Sequence, residues 1–127
     1  MSTWRKKAIE CAPELRTAFQ AANLTPYTVF MELLPVARQA HIDNDSERLE
    51  RIYSFAAWCL KQKDKELWNA AGVGFYEHLV DTEETFQQLT NWVTKEIYVE
   101  VRELLYQRAD DEQIKRLDEY YGFKAGK

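Results

Sequence analysis

An all-α fold, a compact multi-helix bundle or short HEAT-like solenoid, is predicted by three features of this 127-residue sequence. Helix start and stop signals recur along its length, no segment alternates polar and apolar residues between turns as a strand would, and only four glycines and three prolines interrupt it. Hydrophobic residues at 46% and charged residues at 30% suit a folded chain, and the length suits one domain over residues 1–127 that needs neither metal nor disulfide for its core. The punctuation divides it into about seven or eight short helices.

The first helix opens at Ser2 or Thr3 and covers TWRKKAIECA, after which Pro13 starts a second piece, PELRTAFQAAN, with Leu15, Ala18, Phe19 and Ala22 on one face. Thr25 followed by Pro26 is an N-cap and first-turn pair opening PYTVFMELL, and Pro35 is expected to break that helix before PVARQAHID. Asn44 with Glu47 reads as a capping box for a helix over residues 46–62.

Asp64 caps KELWNAAGVGFYEHLV, and both of these helices are apolar almost all round, which marks them as central. Gly72 and Gly74 each cost about 0.8–1.0 kcal/mol in a helix interior, so close approach by a neighbour is expected there, with Phe55 or Trp58 as the candidate rings. Asp81 with Glu84 reads as the next capping box, before TEETFQQLTNWV. Residues 94–108 carry Ile97, Val101, Leu104 and Leu105 at helical spacing, and Asp110 with Gln113 caps a last helix that Gly122 ends.

Charge is uneven along the chain. Residues 1–80 hold ten acids and ten bases, whereas residues 81–127 hold eleven acids and seven bases, so the whole net charge of −4 lies in the C-terminal third. Nucleic-acid binding needs the opposite sign, and a basic protein partner fits better. No apolar run is long enough to span a bilayer, and the start MSTWRKKAIECAPEL lacks a signal peptide's apolar region, which points to a cytoplasmic protein. Cys11 and Cys59, with no CxxC or Cys/His spacing, read as free buried thiols.

The segment DKELWNAAGVGFYEHL resembles the second helix of a HEAT-type repeat, with Asp64 at the cap, then Leu67, Ala70, Ala71, Gly74, Phe75 and Leu79 at matching spacing. Trp68 stands where an arginine is usual, and no proline follows the aspartate. Over residues 46–80 the aromatic helix, the short charged turn and NAAGVGFYEHL resemble small uncharacterised bacterial all-helical proteins, some of them suspected immunity proteins of toxin systems. The resemblance implies a helical fold and that setting, and it carries no functional residues.

Motifs for catalysis, cofactors and metals are missing: His41 and His78 lack the Glu-x-x-His and HExxH contexts, and GVG lies inside a helix. His41 reads as a solvated helix-end residue and His78 as a hydrogen-bonded boundary histidine. The aromatic residues are more informative. Trp92, Tyr98, Tyr106, Tyr120 and Tyr121 alternate with Glu96, Glu100 and Glu103 on the C-terminal helices, the composition of a surface that anchors and steers a basic partner. That reading makes the chain a non-enzymatic binding protein, an immunity protein in the setting the resemblance implies. Two alternatives are a ligand-binding protein or enzyme with a pocket around Trp68, Tyr76, Glu77 and His78, and a homo-oligomeric scaffold that buries the aromatics against a second copy.

Overall fold

Side-chain caps set most of the helix starts in the structure, a computed structural model in which residues 1–124 are described. Ser2 accepts from the Arg5 amide to open α1 (Thr3–Cys11), which passes through a 3₁₀ turn (Pro13–Leu15) into the short α2 (Arg16–Phe19). Thr25 and Thr28 form a reciprocal capping box with Pro26 in the first turn of α3 (Pro26–Asp43). α4 spans Ser46–Leu60, and Asp64 accepts from the Glu66 amide at the head of α5 (Lys65–Gly74). A 3₁₀ segment (Tyr76–Val80), α6 (Glu83–Trp92) and α7 (Lys95–Arg108) follow. α8 (Asp111–Tyr121) starts at the expected Asp110–Gln113 box and ends at Gly122, whose φ of 68° is the left-handed conformation that favours glycine.

α5 and its 3₁₀ continuation lie among α3, α4, α6 and α7, which accounts for the missing polar face. Phe75 is the hub of the aromatic core: its ring lies 5.8 Å from Phe30, 5.3 Å from Tyr53 and 5.4 Å from Tyr76. Phe30 also stacks on Phe55, and Tyr53 stacks on Trp92. Both expected close approaches exist, with other partners than Phe55 and Trp58. A Cβ on Gly72 would stand 2.9 Å from Leu104 Cδ1 of α7, and one on Gly74 would stand 3.2 Å from Phe30 Cβ of α3.

Several expected boundaries move. Pro35 does not break α3, because both Pro35 and Met31, whose carbonyl loses its helical donor, are exposed and water can satisfy that oxygen. α4 is capped by Asp45, not Asn44, which takes the left-handed C-cap of α3 at φ 53°. The α-helix of α5 stops at Gly74, Phe75 leaves helical geometry at φ −132° and ψ −70°, and the chain resumes as 3₁₀ at Tyr76, with Phe75 and Tyr76 both buried. The Asp81–Glu84 box does not form: Thr82 is the N-cap of α6, and the Asp81 carboxylate turns to His78 and Arg108. On the piece after Pro13 only Phe19 is fully buried, and Ala22 is exposed.

His41 is a core residue, not a solvated helix-end one. It is 1% exposed, and its ring joins three helices, with Nδ1 2.9 Å from Gln88 Oε1 on α6 and Nε2 2.8 Å from the Tyr53 hydroxyl on α4. Gln88 Nε2 donates to the His41 carbonyl, which leaves Oε1 as the acceptor and places the ring proton on Nδ1. Burial holds the imidazole pKa below its ordinary value.

Candidate functional site

Helical spacing sets the outer face of α7. Buried Ile97, Tyr98, Val101 and Leu105 anchor the helix, so Glu96, Val99, Glu100, Glu103 and Tyr106 run along its opposite side, with Val99 49% and Tyr106 55% exposed. The arginines of the same helix are committed elsewhere. Arg102 makes a two-pronged bond to Asp118 of α8 at 2.8 and 2.7 Å, and Arg108 makes another to Asp81 at 2.9 and 3.0 Å. Glu96 has Lys61 at 3.5 Å, but among the described residues no cation lies within ion-pair distance of Glu100 or Glu103. The result is an acidic stripe with apolar side chains set into it.

Beside this stripe, α5 and α7 leave a groove of about 340 Å³. Trp68 and Gly72, one turn apart on α5, face Glu100, Val101 and Leu104 of α7, with Leu60 from the end of α4. Trp68 is 39% exposed. Asn69 on the same rim donates to the Tyr27 hydroxyl of α3, which ties that edge down. Tyr76, buried in the core, has its phenol pKa raised by burial first and then by the nearby Cys59 and Glu100.

His78 belongs to a different cluster. Its Nδ1 lies 2.8 Å from Asp81 Oδ2, and that carboxylate also takes Arg108 and, at 3.5 Å, Arg38. Glu77 is 3.8 Å from Arg108. Burial pushes the Asp81 carboxyl up, yet the hydrogen bonds from Arg108 and His78 outweigh it and hold its pKa below the ordinary range. The cluster ties the 3₁₀ segment to α3 and to the end of α7.

Of the residues singled out by sequence, Glu96, Glu100, Glu103 and Tyr106 share the α7 face, while Tyr120 is exposed on α8. Three of the aromatics pack inward. Tyr98 and Tyr121 are buried and stacked with ring centres 4.4 Å apart, the Tyr121 hydroxyl donating to the Val93 carbonyl, and Trp92 packs partly buried on Tyr53. Tyr98 donates to Asp118 at 2.6 Å. Trp68, Tyr76, Glu77 and His78 turn to different surroundings: Trp68 lines the α5–α7 groove, Tyr76 is buried in the core, Glu77 lies beside Arg108 and His78 bonds Asp81. Trp68 and Glu100 belong to separate candidate sites in the sequence, and the structure brings them together in one groove. The signal for this pairing was Gly72, whose missing side chain brings α7 close.

Cys11 and Cys59 are free and buried, and burial raises both thiols to about 12. No group of three His, Cys, Asp or Glu side chains among the described residues is arranged to hold a metal ion. No helix among them is long and apolar enough to cross a membrane.

These features define an all-helical bundle whose seventh helix presents an acidic face with exposed aromatic side chains. The chain belongs to a family described as "Domain of unknown function (DUF7674)", whose model matches residues 5–115. No curated protein and no solved structure matches it.

Proposed function

We propose that this protein is a non-enzymatic binding module that docks a basic protein on the outer face of α7. In its particular form the proposal is a cytoplasmic bacterial immunity protein that neutralises a basic toxin, with the α4–α5 hairpin as a single HEAT-like pair. The observation that carries the reading is the division of charge on α7: its arginines are spent on Asp118 and Asp81, so Glu100 and Glu103 remain uncompensated beside exposed Val99 and Tyr106. Uncompensated carboxylates speed encounter with a cationic surface, and the aromatic and aliphatic groups supply contact area once it has docked.

A second reading, a small-molecule site, rests on the α5–α7 groove, whose about 340 Å³ suits a small ligand. Capture experiments separate the two. Wild-type protein should recover a basic protein from its native cell at low salt and lose it at high salt, and the Glu100→Lys/Glu103→Lys variant should not recover it. If the doubly reversed variant folds and keeps every interaction of the wild type, the surface assignment is wrong. Light scattering of the protein alone checks for self-association through Tyr106 and Tyr120.

A further inference from the structure

We infer that the groove between α5 and α7 is an anchor site for a single arginine side chain presented by the basic partner. The inference rests on the docking surface proposed above and adds the chemistry of its anchor. The floor is apolar, built from Val101 and Leu104, and one wall is the partly exposed indole of Trp68. Among the described residues the groove's only ionised side chain is Glu100, and no cation lies within ion-pair distance of it.

An indole face beside an unpaired carboxylate suits a planar cation that can stack and form a forked bond at once. Guanidinium does both, being flat, weakly hydrated and five-donor. Lysine ammonium is a compact, strongly hydrated charge, and an apolar floor gives it nothing in exchange for its water. A neutral ligand would leave the Glu100 charge unanswered.

Gly72 keeps the groove open. A Cβ there would stand 2.9 Å from Leu104 Cδ1, the far end of a flexible and only partly buried side chain, so alanine at this position pushes Leu104 into the groove without disturbing the backbone. Asn69, held by Tyr27, fixes the rim on which Trp68 sits.

The test compares hexa-arginine with hexa-lysine, which carry equal charge, against the full-length protein by NMR titration of the tryptophan indole N–H signals. Hexa-arginine is expected to bind about tenfold tighter and to shift the Trp68 signal, while those of Trp4, Trp58 and Trp92 stay in place. Gly72→Ala and, separately, Trp68→Ala, the latter followed by the backbone amide signals of α7, should reduce arginine to the level of lysine while each variant still unfolds cooperatively. Glu96→Lys/Glu103→Lys, outside the groove, should weaken both peptides alike. Equal binding of the two peptides, salt-sensitive and indifferent to Gly72→Ala, would overturn the arginine anchor and leave the acidic docking face standing. Binding by neither peptide would overturn both.

Discussion

Replacing His41 with leucine is expected to destabilise the fold by about 2–3 kcal/mol, because it strands the buried Tyr53 hydroxyl without a partner. Most of that figure is the desolvation cost of the orphaned hydroxyl; half-buried Gln88 loses less, since water can reach its amide. Tyr53→Phe in the leucine background removes the orphan and should restore at least about 1 kcal/mol, so the two changes are strongly coupled in a double-mutant cycle. Proton linkage gives a second signature. The folded-state pKa of His41 is lowered, so the unfolded chain takes up the proton first. Its contribution is complete above the unfolded pKa of about 6.5 and is lost as pH falls from there to the folded value, at up to about 1.4 kcal/mol per pH unit. Urea unfolding of wild type and His41→Leu between pH 8 and pH 5 measures both, and the difference between the proteins isolates His41 from His78. Equal stabilities at pH 8, or a pH slope that survives the substitution, would refute the buried, neutral imidazole.

Three further outcomes follow from local geometry. Gly74→Ala should destabilise by about 1–3 kcal/mol, because its Cβ meets Phe30 Cβ, an atom fixed to the α3 backbone, whereas Gly72→Ala should be neutral or stabilising by up to about 1 kcal/mol; thermal unfolding ranks them. Asp118→Asn should cost about 1–2 kcal/mol by loosening α8 from Arg102 and Tyr98. The Arg102 hydrogen bonds, outweighing burial and helped by Tyr98, lower the pKa of Asp118, so this contribution holds above the ordinary carboxylate range and is lost as pH falls through the folded value; acid unfolding of the variant should lack that limb. Cys11 and Cys59, with thiols raised to about 12, should resist iodoacetamide at pH 8 until urea unfolds the chain, and mass spectrometry reads the label directly.

Local signals were legible where one side chain serves one purpose. Thr25 before Pro26, Asp64, and the Asp110–Gln113 pair ending at Gly122 all act as the spacing indicates. They failed where tertiary structure offers a competing partner. Asp81 has the spacing of a cap, but two arginines and a histidine bid for its carboxylate. His41 sits near a helix end, where solvent is the usual surrounding, and only the long-range approach of Tyr53 and Gln88 makes it a core residue. Pro35 survives inside α3 because its side of the helix faces water, which no linear pattern reveals. The acidic stripe of α7 could be read from spacing alone. The groove could not, since it depends on Gly72 meeting Leu104 across two helices.

Hydroxyl-radical footprinting of the complex with the captured basic protein tests the docking face most directly, because Trp68 and Tyr106 are exposed, readily oxidised and on opposite sides of Glu100 and Glu103 in the chain. Met31, exposed on α3, serves as an internal control. Protection of Trp68 and Tyr106 with Met31 still oxidised is the predicted result. Protection elsewhere, with both aromatics as reactive as in the free protein, would contradict it.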